Sequence, residues 1–300
     1  MDTGSKVKLQ SSQGQMISMI QKPEWLRIRY NDSPNREAVE KILEDLKLNT
    51  VCREANCPNY MECFSHKTAT FLVLGTNCTR NCRFCNVGHG KPAPIDPDEP
   101  ENIALAAKEM GLSYVVITSV SRDDLADGGA RHFANVVQAI KNHLPETSAE
   151  VLVPDFAGDI KSLKMVTDAL PDVVSHNMET VKALYNKVRP QAIYKRSLDL
   201  LRNIKELNPD IHSKSGIMVG LGETVEQVCE LLDDLREVNC DFLTIGQYLA
   251  PSKAHIPVQE YVKPSQFEEY KLIAMKKGFK FAASGPFVRS SYHAGEALGK

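Results

Sequence analysis

From Ala69 onward the chain repeats one pattern, and that repeat restricts its fold more than any other feature. Short apolar, β-branched runs recur at Thr70–Leu74, Tyr114–Thr118, Glu150–Val153, Asp172–Ser175, Ser215–Val219 and Asp241–Ile245. Between them lie longer segments with helical spacing, for example Val225, Val228, Leu231, Leu232, Leu235 and Val238. Parallel neighbours need a long crossover, and a helix supplies it, so this alternation predicts βαβ units. The expectation is an α/β chain: an incomplete (β/α)6 TIM-like barrel with N-terminal and C-terminal extensions. A barrel is preferred to a doubly wound sheet because the unusual polar residues directly follow the strands, at what would be one rim.

Four stretches follow from this reading. Residues 1–21, rich in Gly, Ser, Gln and Lys, read as a loose tail. Residues 22–67 form an N-terminal extension, 68–262 the barrel, and 263–300 a C-terminal segment. In the extension, Ser33 before Pro34 marks a helix start, followed by the stripe Ala38, Val39, Ile42, Leu43 and Leu46. Residues 52–67 show no clear period. Phe281–Val288 reads as a last strand or as a covering segment. A net charge of -2 gives no reason to expect nucleic acid or an anionic membrane as partner. No apolar run approaches the roughly 20 residues of a bilayer span, and no leader pattern is present, so a cytoplasmic location is expected.

Six of the eight cysteines fall between residues 52 and 85, in two triplets. Cys52, Cys57 and Cys63 are separated by four and five residues; Cys78, Cys82 and Cys85 by three and two. Clustered thiols in a chain that is not a small secreted scaffold point to metal binding in a reducing compartment. Three thiolates can hold three irons of a [4Fe–4S] cubane and leave the fourth iron open to a substrate. Zinc is the alternative, since His66 and His89 follow the triplets closely enough for two Cys3His sites, as in some RNA-binding fingers. Against zinc stand the long α/β remainder and the lack of a basic, aromatic-rich pattern. Cys229 and Cys240 read as small buried hydrophobes.

The second triplet lies in the loop after the first barrel strand, with Phe84 before Cys85. This C-x3-C-x2-C pattern resembles the radical S-adenosylmethionine (SAM) superfamily. The resemblance implies a [4Fe–4S] cluster on Cys78, Cys82 and Cys85 whose open iron chelates SAM, and electron transfer that releases a 5′-deoxyadenosyl radical. Other rim residues suit that cofactor. Asn177 and Glu179 supply an amide and a carboxylate for ribose hydroxyls. Arg196 offers a fork for the cofactor carboxylate. The polar run after the second strand, with Thr118 and Ser119, offers a site for its ammonium group. Gly216, Gly220 and Glu223 resemble the superfamily segment that lies along the adenine.

The combination of C-x4-C-x5-C, C-x3-C-x2-C and the terminal Arg289-Ser290-Ser291-Tyr292 resembles the lipoyl synthase family, from about Pro23 to His293. The stretches TSVSRDDLADGGA (118–130), GQYLAPS (246–252) and GPFVRSSYHA (285–294) belong to the likeness. It implies an auxiliary [4Fe–4S] cluster held by Cys52, Cys57, Cys63 and Ser291. A serine oxygen is a hard ligand among soft sulfurs, and its parent alcohol is a weaker acid than a thiol, so it should leave iron more readily. That suits a cluster which surrenders its sulfide. The implied reaction inserts two sulfurs at C6 and C8 of a protein-bound octanoyl chain, with two SAM used per lipoyl group. Implied partners are an octanoylated lipoyl carrier (an H protein or E2 lipoyl domain), a ferredoxin or flavodoxin reductant, and an iron–sulfur cluster carrier. The runner-up within this chemistry is a methylthiotransferase or a peptide-modifying maturase. Arg289 steadies the terminal motif or lies on the surface.

Overall fold

The computed structural model describes residues 21–27 and 33–300. The tail expected at 1–21 lies outside them but for its last position. Pro34 takes the first position of α1 (Pro34–Asp45), and Ser33 Oγ accepts a hydrogen bond from the Asn35 N–H at 3.2 Å. Val39 and Leu43 bury the face of that helix, whereas Ala38 at the start of the stripe is exposed. The stretch without a period contains β1 (Asn49–Thr50) and two short helices, α2 (Val51–Glu54) and α3 (Tyr60–Ser65). Helices of one or two turns show no repeat in sequence. Packing holds them, as where Phe64 is fully buried.

Strands β2 (Thr70–Val73), β5 (Tyr114–Ser119), β6 (Ser148–Leu152), β7 (Val173–Ser175), β8 (His212–Val219), β9 (Phe242–Gln247) and β10 (Phe281–Gly285) pair in chain order, all parallel. A side pairing of β3 (Asn77–Cys78) with β4 (Gly88–His89) ties the second cysteine loop together. Helices α4 (Glu99–Met110), α5 (Ala130–His143), α6 (Ile160–Asp168), α7 (Tyr185–Val188), α8 (Tyr194–Leu207), α9 (Val225–Glu237) and α10 (Pro264–Lys276) fill the crossovers. The six expected units are present, and β1 adds an antiparallel edge beside β2. Strand β8 begins three residues earlier than its apolar run because polar Lys214 is buried against Glu150, Nζ to Oε2 2.9 Å. The last segment does both things the sequence allows. Residues 281–285 form the seventh parallel strand, and the chain beyond them crosses the site.

The pleat decides what faces inward. Thr70, Leu72, Val116, Thr118, Gly216 and Met218 line a central cavity. The residues alternating with them in β2 and β5, Phe71, Val73, Val115 and Ile117, are buried in the main apolar core. Gly246 gives β9 its room: a Cβ there would sit 2.0 Å from the Val288 carbonyl oxygen, so only glycine lets the C-terminal segment lie against this strand.

Candidate active site

Both cysteine triplets and Ser291 line one cavity of about 1380 Å³ inside the partial barrel. Residues more than 200 positions apart thus share one wall, with Asn177, Glu179, Thr118 and Ser119 on it as well. Among the described residues, no three His, Cys, Asp or Glu side chains converge on a point as one metal ion requires. The six thiols of the two triplets are spread along the lining of the cavity.

The chain is steered into the second cysteine loop by a strained turn. Leu74 adopts φ 69°, a left-handed conformation costly for a bulky residue. Its N–H donates to Glu99 Oε2 at 3.0 Å and its carbonyl accepts from Arg122 Nη1 at 3.2 Å. Glu99 is held in turn by His132 at 2.6 Å. Within the loop, Cys78 Sγ accepts N–H bonds from Arg80 at 3.4 Å and Ser121 at 3.3 Å. Arg80, between the first two cysteines, is buried and clamped by carboxylates. Its Nε and Nη2 meet Asp123 at 2.7 Å each, and Nη2 meets Asp155 Oδ1 at 2.6 Å. Burial would push the Asp155 carboxyl up, but the Arg80 hydrogen bond and charge bring it down to about 2.

The first triplet is built against the C-terminal segment. Asn59 Nδ2 donates to the Phe287 carbonyl at 2.7 Å, and Tyr292 Oη donates to Glu62 Oε1 at 2.8 Å. Arg289 faces this triplet, so its role is at the site: burial raises the Cys57 thiol while the Arg289 charge lowers it. Burial pushes Cys52 up to about 11 and Cys63 and Cys85 up to about 12, and raises Cys82. Protonated thiols at neutral pH must release protons to ligate iron, so cluster binding is coupled to deprotonation here.

The rim offers unsatisfied polar atoms. Ser119 Oγ, Asn177 Oδ1 and Arg189 Nε are buried without a hydrogen-bond partner. Such atoms are rare in folded chains and mark where a ligand's donors and acceptors fit. Glu179 sits at φ 67°, its N–H bonded to Gly216 O and its carbonyl to Met218 N, so the chain leaves the sheet at Asn177 and rejoins it here. Burial raises the Glu179 carboxyl, opposed by Arg189 and Asn177. The donor set therefore fits both clusters and a polar nucleoside cofactor.

Three expected cofactor contacts stand elsewhere. Arg196 does not line this cavity: its Nη1 lies 3.4 Å from Asp155, and it lines a separate pocket of about 510 Å³. Arg189 is the buried arginine on the cavity wall, with Nη1 donating to the Asn177 carbonyl at 2.7 Å and Tyr185 Oη at 2.9 Å. Glu223 folds back on its own turn, accepting from the Gly220 N–H at 2.5 Å and the Leu221 N–H at 3.0 Å. Gly220 is required by its φ of 95° and by close approach of Gln247 and the Glu260 carbonyl. These two shape the turn after β8 and do not reach the cavity wall. His66 and His89 are both exposed. Cys240 is fully buried as expected, while Cys229 is only partly covered. Sequence reading missed Arg80, Arg189 and Ser290; Arg80 and Ser290 carried the one available signal, adjacency to motif residues.

The sequence profile described as the radical SAM superfamily matches residues 72–235. A solved structure, methylornithine synthase (PylB), shares the fold at a TM-score of 0.53 and 14% identity, covering 87% of this chain and 85% of that one. A lipoyl synthase of Alkaliphilus metalliredigens is 57% identical over 95% of this chain and 98% of its own. The lipoyl synthase of Caldicellulosiruptor saccharolyticus is 59% identical over 93% and 98%. At that identity across nearly the whole length, the chain belongs to the lipoyl synthase family, within the radical SAM superfamily.

Proposed function

We propose that this chain carries out the lipoyl synthase reaction with the residues gathered in the cavity: two sulfurs are inserted at C6 and C8 of an octanoyl chain borne by a lipoyl carrier. One observation carries the assignment of residues. Two cysteine triplets and a serine from the far end of the chain line a single cavity, so radical generation and sulfur supply share one space. When bound, a cluster on Cys78, Cys82 and Cys85 with SAM supplies hydrogen abstraction, and a second on Cys52, Cys57, Cys63 and Ser291 supplies sulfur.

The protein's own part is placement. The amide bonds from Arg80 and Ser121 hold the Cys78 sulfur in place, and the Arg80 clamp holds the loop between Asp123 and Asp155. Asn177 and Glu179 suit a ribose diol, Thr118 and Ser119 an ammonium group, and Arg189 replaces Arg196 as the cation facing the cofactor. Leu72 on β2 and Val116 on β5 add apolar wall for an acyl chain. Residues 22–67 bring the sulfur-donor cysteines, 68–262 the radical site, and 263–300 the serine.

The carrier is an H protein or E2 lipoyl domain, electrons come from a ferredoxin or flavodoxin, and an iron–sulfur carrier rebuilds the consumed cluster. Free thiols at two clusters suit the reducing cytoplasm. Incubation with an octanoylated carrier peptide, SAM and reductant without oxygen tests the reading by mass. A gain of two sulfurs supports it, whereas one sulfur or a methylthio group refutes it.

A further inference from the structure

Residues 289–292 carry Ser291, yet little ties them to the barrel. Tyr292 bonds to Glu62 in the N-terminal extension, and Arg289 Nη1 bonds to its own segment at Val288 O, 2.7 Å. Among the described residues, one hydrogen bond joins this segment to the barrel: Asn177 Nδ2 donates to Ser290 Oγ at 2.7 Å. The second amide proton of Asn177 goes to Glu179 Oε1 at 3.0 Å. A carboxylate accepts, so Glu179 fixes which amide atom faces it.

Space for this bond is reserved in β8. A Cβ at Gly216 would lie 2.6 Å from Thr244 Oγ1, 2.9 Å from Asn177 Oδ1 and 3.1 Å from Ser290 Oγ. Three polar groups thus meet above a glycine that no larger residue can replace without parting them. Asn177 is only 8% exposed, and its Oδ1 has no partner. With both amide protons engaged, Oδ1 is the atom left for a ligand. A ligand hydroxyl donating to it fills the orphan and locks the amide in the orientation that holds Ser290.

We propose that Ser290 is a positioning residue through which a nucleoside hydroxyl bound at Asn177 fixes the segment carrying Ser291. Cofactor binding then tightens the serine side of the sulfur-donor site before chemistry begins. Because linkage is reciprocal, an unanchored Ser290 also weakens the nucleoside. This inference rests on the reading that Asn177 and Glu179 meet the ribose of SAM.

The test uses the anaerobically purified, cluster-loaded protein and SAM without reductant. Deuterium uptake across residues 286–292 and the dissociation constant of SAM are read together. In the wild type, binding should slow uptake in this segment. Ser290→Ala should raise the dissociation constant about tenfold and leave the segment unprotected even at saturation. Ser290→Thr keeps the hydroxyl and should restore both, which separates anchoring from a folding defect. Wild-type affinity and full protection in Ser290→Ala would overturn the coupling. A wild type that fails to bind SAM would overturn the ribose reading beneath it.

Discussion

Arg80→Met removes the guanidinium that joins the Cys78 loop to Asp155 while keeping an unbranched apolar stem. Arg80 and the Asp155 side chain are 7% and 0% exposed, so the pair is screened little by solvent. Asp155 is held at about 2 against an ordinary 3.8, because Arg80 outweighs the cost of burial. That difference contributes about 2.5 kcal/mol at neutral pH, present above pH 4 and lost as pH falls through 2. Removing one partner of a buried pair costs roughly 3–5 kcal/mol, because the other charge stays behind. Arg196 at 3.4 Å remains as a weaker cation, which favours the lower end, about 3 kcal/mol. The half-exposed Asp123 adds little. Urea unfolding at pH 7 without oxygen measures the loss. Asp155→Asn on the Arg80→Met background should recover part of it, since the stranded charge is gone. A loss under about 1 kcal/mol, with no recovery in the double variant, would refute the clamp.

His176 is buried with its ring between the Val153 carbonyl and Ser197 Oγ, and burial brings it down to about 4 from 6.5. The unfolded chain takes the proton first, so this contribution is full above pH 6.5 and is lost as pH falls toward 4. His176→Gln should remove about 3 kcal/mol of that pH dependence in urea unfolding; equal slopes for the two proteins would contradict it. Cys52→Ala should leave cleavage of SAM intact and stop sulfur insertion, as read by 5′-deoxyadenosine release and product mass. Loss of both would dissolve the proposed division between triplets. Gly246→Ala forces a methyl into the Val288 carbonyl and should cost about 1–3 kcal/mol while loosening residues 286–292 in deuterium exchange. Undisturbed exchange there would show that the segment is not seated on β9.

Much of the architecture was open to reading because it rests on local periodicity. The strands follow from short apolar, β-branched runs, the amphipathic α9 from helical spacing, and the Ser33 cap from local hydrogen bonding. The cysteine spacings are equally local, and the thiol chemistry they imply is legible without coordinates. What escaped were partnerships across the chain. The polar start of β8 hides a strand because Lys214 finds Glu150, 64 positions away. Arg196 and Arg189 cannot be ranked by spacing, since their partners decide: Arg189 is held on the Asn177 and Met178 carbonyls, Arg196 beside Asp155.

The primary structure alone determined which elements form and which atoms can hold iron, since both depend on residues close together along the chain. Only tertiary folding decided that the two thiol triplets share one cavity with Ser291, that Asn177 grips Ser290, and that Arg80 is clamped rather than free. Those facts depend on contacts closed over tens to hundreds of residues, where burial and glycine-sized gaps, not spacing, select the partner.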